Sequence, residues 1–159
     1  MAYGLEQLRE TFEVSEGAAR AMRGNRATDT APELQLRKAL WANGRRGYRK
    51  NVRSLPGAPD IVYFKKRCCV FLNGCFWHGC QQCRRKLVPT RNAAYWQEKI
   101  SRNRARDARN HAELAAKGWR VVVVWECELR QDPEGVLMRV GALLDGERLR
   151  PEEPVPRVD

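Results

Sequence analysis

The stretch Asp60-Ile61-Val62-Tyr63-Phe64-Lys65-Lys66-Arg67-Cys68-Cys69-Val70-Phe71-Leu72-Asn73 decides how this chain is built. Two apolar runs rich in β-branched and aromatic residues flank three cations. They read as strands over 60–64 and 68–72 joined by a tight reversal at Lys65-Lys66-Arg67. The second run is almost wholly apolar, as a central strand covered on both faces would be. Upstream, Leu55-Pro56-Gly57-Ala58-Pro59 is a turn, and Tyr48 to Val52 fits a further strand. Farther back, Thr28-Asp29-Thr30 followed by Pro32 marks a helix start. Leu34, Leu36, Ala39, Leu40 and Trp41 form its apolar face, and Asn43-Gly44 ends it.

Downstream, a loop over 73–92 leads into a long helical stretch from Ala93 to Lys117, stopped by Gly118. Trp119 to Trp125 reads as a strand buried on both faces, and Pro133 to Leu144 as a last helix. A strand that follows a crossover helix implies a mixed sheet flanked by helices, an α/β fold. Trp41, Trp119 and Trp125 are expected in the core, and so are Cys68 and Cys69, on opposite faces of their strand. His111, in mid-helix, is expected at the surface and uninvolved. Residues 1–24 read as an N-terminal segment with a short helix near Ser15 to Arg23. Residues 25–148 read as one domain, and 149–159, with Pro151, Pro154 and Pro156, as a loose tail.

The chain has 159 residues and a formal net charge of +11, with a pI near 9.9. Such a balance favours a polyanion, nucleic acid before an anionic membrane. No apolar run approaches the ~18 residues of a membrane span. Met1-Ala2-Tyr3-Gly4-Leu5-Glu6 has neither the basic nor the apolar region of a signal peptide. The six cysteines are therefore expected in a reducing cytoplasm, where clustered cysteines bind metal.

Three of them lie in Cys75-Phe76-Trp77-His78-Gly79-Cys80-Gln81-Gln82-Cys83. Cys80-x-x-Cys83 has the spacing of a chelating turn, and zinc wants four sulfur or imidazole ligands in a tetrahedron. With Cys75, a fourth ligand is needed. Cys127, beyond the valine strand, is the better candidate and His78 the rival. Asp60, the first residue of a strand after a turn, can hold Mg²⁺ with a group from the neighbouring strand. A lone Pro-Asp pair is also what a solvated turn looks like. Glu33, in a first helical turn, can aim at the same rim or simply favour the helix dipole. Phe76 and Trp77 suit stacking against or wedging between bases, with Trp96 nearby. Arg84-Arg85-Lys86 and the cations Lys99, Arg102, Arg104, Arg106 and Arg109 can meet phosphates in part; their spacing prevents all from sharing one face.

Taken in order, Asp29-Thr30-Ala31-Pro32-Glu33, Leu55 to Asp60, Val70 to His78, Tyr95-Trp96 and Arg120 to Cys127 resemble the very short patch repair (Vsr) endonucleases, over roughly residues 20–130. The resemblance implies a PD-(D/E)xK, restriction-endonuclease-like fold with a structural zinc site. It implies a Mg²⁺-dependent enzyme that nicks double-stranded DNA 5′ of the thymine in a T:G mismatch. Asp60 would bind Mg²⁺ with the main-chain carbonyl of Leu72. His78 would be the general base and Glu33 a support for the metal-bound water. Cys75, Cys80, Cys83 and Cys127 would hold Zn²⁺. Phe76, Trp77 and Trp96 would wedge beside the mismatch, with Met22 a minor-groove contact. A cytoplasmic, nucleoid-associated monomer is implied, with mismatch-repair proteins as further partners.

Two positions depart from the family's best-known form. Asn73 stands where that form has a histidine thought to act near the phosphate; an amide can donate a hydrogen bond but cannot relay a proton at neutral pH. Retained but altered catalysis is expected, with Asn73 still in the catalytic set. Cys80-x-x-Cys83 also replaces a histidine-containing pattern of different spacing. Two other readings stand beside this one: a restriction-type or modification-dependent nuclease, and a zinc-stapled mismatch-binding module without catalysis, motivated by Asn73.

Overall fold

A computed structural model describes residues 28–83 and 89–146. Met22, the helix expected near Ser15 to Arg23, the run Arg84-Arg85-Lys86 and the tail prolines lie outside the described residues. Helix α1 (Ala31–Ala42) begins as the sequence requires: Thr30 is its N-cap in extended conformation, Pro32 sits in the first turn, and Asn43 caps the end. Strands β1 (Arg49–Lys50), β2 (Ile61–Tyr63) and β3 (Cys68–Asn73) follow. Then come a one-turn helix α2 (Cys75–His78), the 24-residue helix α3 (Ala93–Ala116) and strand β4 (Arg120–Trp125). Helices α4 (Glu126–Gln131) and α5 (Pro133–Leu144) complete the described chain.

The sheet is mixed, in the order β1-β2-β3-β4. β1 with β2 and β2 with β3 are antiparallel. β3 and β4 are parallel, because α3 carries the chain back across the sheet. Alternation sorts the side chains into two cores. Ile61, Tyr63, Cys68, Val70, Val122 and Val124 meet Leu36 and Leu40 of α1, Leu129 of α4, and Val136, Val140, Leu143 and Leu144 of α5. Val62, Cys69 and Phe71 meet Leu114 of α3 on the other face, with Val121, Val123 and Trp119 packed alongside. The two cysteines of β3 are therefore core residues on opposite faces, as expected.

Several expectations need correction. β4 is not fully buried on both faces: Val122 and Val124 are buried, whereas Val121 and Val123 under the single helix α3 are only partly covered. Phe64 leaves the strand for a 3-10 turn, Phe64–Lys66, closed by Arg67 in the left-handed region at φ 48°. The cysteine segment is not all loop, since α2 occupies its first turn. Trp41 is not a core residue. It is 54% exposed, one position past Leu40 on the outer face of α1, with Arg46 stacked over its ring at 4.8 Å. Leu34 is likewise on the outside. His111 is not a surface residue. It stands three positions before buried Leu114 on α3 and so faces the sheet, its ring 4.6 Å from that of Phe71.

Leu40→Ala should cost about 2–5 kcal/mol of unfolding free energy. Trp41→Ala, one residue away, should cost under about 1 kcal/mol. Denaturant melts of the two variants check this; comparable losses would place Trp41 back in the core.

Candidate active site and metal cluster

The parallel register sets Asn73 opposite Trp125. Both strands therefore leave the sheet at the same level. Two residues beyond Asn73 is Cys75, and two beyond Trp125 is Cys127. Cys75 is the first residue of α2. Cys127 sits in the first turn of α4 rather than at a strand end. The Sγ atoms of Cys75, Cys80, Cys83 and Cys127 all lie within 4.8 Å of one another, and Cys80 and Cys127 are 3.7 Å apart. A tetrahedron with zinc–sulfur bonds of 2.3 Å has sulfurs about 3.8 Å apart. A disulfide would need about 2.05 Å. The spacing thus fits a cation held by four sulfurs. Burial pushes the Cys75 thiol up to about 11, with Cys83 and Cys80 adding to it, and burial raises Cys127 as well. A divalent ion reverses that preference by stabilising the thiolates.

His78 is outside this sulfur cluster. It closes α2, and its Nδ1 lies 2.5 Å from Oδ2 of Asp107 on α3. One turn earlier on α3, Asn103 donates from Nδ2 to the Trp77 carbonyl at 2.8 Å. Asn103 and Asp107 are four apart and share a helix face. α3 therefore grips the end of α2 at two points. Gly79 makes the close approach possible. Its φ is +64°, and a Cβ there would sit 2.5 Å from Cγ2 of Ile100. Asp107 was not singled out in the sequence. An acid four residues beyond an Asn on a long helix carries no signal until α2 is known to lie across it.

Asp60 enters from the antiparallel neighbour. Its Oδ2 accepts a hydrogen bond from the Leu72 N–H at 2.7 Å, next to Asn73 at the strand end. Burial is the main reason its carboxyl is raised to about 6; the Leu72 N–H opposes the shift, the Glu33 charge adds to it, and His78 offsets part. The charges of Glu33 on α1 and His78 on α2 thus both bear on this carboxylate. Glu33 is held by the cap: its Oε1 accepts from Thr30 Oγ1 at 2.9 Å and its Oε2 from the Asp29 N–H at 3.0 Å. Among the described residues the buried polar or charged side chains are Glu33, Arg37 and Asn73. All three belong to the elements that form this rim.

The aromatic residues form one cluster beside it. Phe76 meets Trp77 and Trp96 edge-on at 5.0 Å each, and Trp77 meets Trp96 at 5.8 Å. Phe76 and Trp77 are partly exposed, whereas Trp96 is only 7% exposed. Trp96 thus backs the other two. Lys99 Nζ stands 5.3 Å from the Trp77 ring. A groove of about 480 Å³ along α3 is lined by Lys99, Arg102, Asn103, Arg106 and Arg109. Together these give a cationic wall next to an aromatic knob, the combination that meets phosphates and bases.

Residues 13–85 match the family described as DNA mismatch endonuclease Vsr. The chain belongs to the Vsr family. A type II nicking enzyme, V.XorIIP, of Xanthomonas oryzae pv. oryzae is 49% identical over 104 residues, 65% of this chain and 75% of that protein. A second, V.NmeAIP of Neisseria meningitidis, is 46% identical over 102 residues, 64% and 71% of the two chains. The DNA mismatch endonuclease Vsr of Escherichia coli is 43% identical over 109 residues, 69% of each. The Vsr family is one of endonucleases. Among the described residues no helix is long and apolar enough to cross a membrane.

Two measurements follow from this geometry. Asp60 binds its proton more tightly in the fold than in the unfolded chain, so its charge opposes folding above pH 6 and that opposition fades as pH falls toward 4. Asp60→Asn should stabilise the magnesium-free protein by about 2–3 kcal/mol at pH 8 and by roughly half that at pH 5. A gain that grows on acidification would contradict the assignment. Cys127→Ser should lower bound metal well below one equivalent per chain and reduce Tm by several degrees, read by metal analysis and calorimetry; unchanged stoichiometry would remove Cys127 from the ligand set.

Proposed function

We propose that this chain is a Mg²⁺-dependent endonuclease that nicks double-stranded DNA 5′ of the thymine in T:G mismatches, on a variant of the PD-(D/E)xK fold. The observation that carries the reading is the His78–Asp107 pair, set apart from the four cysteines. With Nδ1 engaged by Asp107 at 2.5 Å, the remaining ring nitrogen is the one left to take a proton. His78 removes the proton of an attacking water, and Asp107 holds the ring and stabilises the imidazolium that forms. Glu33, one turn into α1, orients that water. Asp60, with the carbonyl of Leu72, would hold Mg²⁺. When bound, that ion supplies Lewis-acid neutralisation of the scissile phosphate. Asn73 is buried beside them and donates a hydrogen bond toward the phosphate. It cannot relay a proton, so a change in rate rather than a loss of chemistry is expected.

Zn²⁺ is the cation we propose for Cys75, Cys80, Cys83 and Cys127, since thiolate ligands at tetrahedral spacing select it. Phe76 and Trp77 wedge beside the mismatch, with Trp96 as their support, and Met22 reaches the minor groove from the N-terminal segment 1–24. The nuclease domain comprises residues 25–148 and acts as a monomer in the cytoplasm, at the nucleoid, with mismatch-repair proteins as further partners.

Nicking at a different target is the second reading, favoured by relatives named as type II nicking enzymes. The His78–Asp107 pair, an imidazole held by a carboxylate, speaks against the non-cleaving module. A panel of matched, methylated and T:G duplexes, with the cut strand and position mapped, separates these readings. The T:G duplex alone should be nicked 5′ of the thymine. Asp60→Ala should abolish nicking and leave binding, and Asp107→Asn should lower kcat by about 10²-fold or more. Cleavage by Asp60→Ala at the wild-type rate would sink the mechanism.

A further inference from the structure

Arg37 stands one turn beyond Glu33 on α1 and is 8% exposed. A buried guanidinium is costly unless it is paired, and this one is paired in an unusual way. Its Nη2 meets Asp29 Oδ1 at 2.5 Å. Its Nη1 stops 3.6 Å from Glu33 Oε2, too far for a hydrogen bond. Among the described residues that Nη1 has no hydrogen-bond partner and no exposure to water. Asp29 completes the loop: its N–H donates to the same Glu33 oxygen, and Lys50 on β1 reaches its carboxylate at 3.4 Å. To do both, Asp29 adopts φ 56°, the left-handed region, at a cost that ordinary caps avoid. A helix N-cap needs none of this, since Thr30 already satisfies the Glu33 N–H.

We infer that Arg37 is a positioning residue: with Asp29 it fixes the Glu33 carboxylate in place and balances its charge beside Asp60. Glu33 and Asp60 are two acids brought to one rim, where their mutual repulsion opposes a shared task. Arg37 reaches Glu33 from one turn along α1 and offers a donor with spare capacity. A shift of the Glu33 carboxylate by a few tenths of an ångström toward Arg37 closes the Nη1 contact. Arg37 therefore limits how far that carboxylate can travel. No proton moves in this role, because an arginine stays charged throughout.

This rests on the reading of Asp60 and Glu33 as the magnesium rim, and the test separates the two. Arg37→Met keeps an unbranched side chain over the stem of the arginine and removes the guanidinium and its charge. Asp29→Asn is milder, since asparagine tolerates the left-handed conformation and the site is at the surface. For each, steady-state nicking of a T:G duplex gives kcat, KM and the half-activating Mg²⁺ concentration. The rise in Tm on adding Mg²⁺ to the zinc-loaded protein reports the ion independently of turnover. Arg37→Met should lower kcat about tenfold with KM nearly unchanged, raise the Mg²⁺ midpoint about threefold or more, and shrink the Mg²⁺-dependent rise in Tm. Asp29→Asn should move all three in the same direction by less, and Arg37→Lys should recover part of the loss. If both neutral variants lower Tm while kcat, the Mg²⁺ midpoint and the Mg²⁺-dependent rise stay at wild-type values, Arg37 is only a structural ion pair. Nicking that survives in Asp60→Ala would instead remove the magnesium rim itself.

Discussion

The parallel pairing of β3 with β4 is the constraint on which the rest of the molecule depends. It is a register of six pairs, from Cys68 opposite Arg120 to Asn73 opposite Trp125. Shifting it by one would turn every valine of β4 to the wrong face. With the register set, the two chains leave the sheet side by side. Cys75 and Cys127 are then neighbours although 52 positions separate them in the sequence. The same strand end supplies the N–H that holds Asp60. One short stretch, Leu72-Asn73-Gly74, thus links the acid on one side to the sulfur cluster on the other.

Charge is distributed to match. The chain carries an excess of eleven positive charges, which draws a polyanion from a distance. Three acids, Glu33 on α1, Asp60 just before β2 and Asp107 on α3, are buried or partly buried. Cations on α3 line an open groove, while Asp60 and Asp107 lie among the acids proposed for the metal ion and the proton. Two of the aromatic trio, Phe76 and Trp77, lie inside α2 between Cys75 and His78, the proposed sulfur ligand and the proposed base. Packing of Phe76 and Trp77 on Trp96 therefore fixes the orientation of both devices at once.

Much of this was legible in the residues. The helix over α1, the strands on either side of Lys65-Lys66-Arg67, the long α3 and the last helix were all marked by period, cap and turn. The mixed sheet followed from a strand after a crossover helix. Three of the sulfurs were readable because cysteines in a polar loop have few other uses, and the structure favours Cys127 over His78 as the fourth. What was not legible depends on tertiary approach. Trp41 carries the same apolar signal as Leu40, yet the helix turns only one of them inward. His111 and Asp107 lie on a highly charged helix, where nothing local distinguishes the face that meets β3 and α2 from the face in water. α4 is too short for periodicity to announce it. By sequence Arg37 is one more cation in a basic chain; only its burial and its pairing with Asp29 and Glu33 set it apart.

Four cysteines take the proposed metal and so leave His78 free for the proton. X-ray absorption at the zinc edge measures this directly on the purified protein. Four sulfur neighbours at about 2.3 Å, with no imidazole shell, is the result the account predicts. A spectrum with three sulfurs and one nitrogen at about 2.0–2.1 Å would put a histidine on the metal and contradict it.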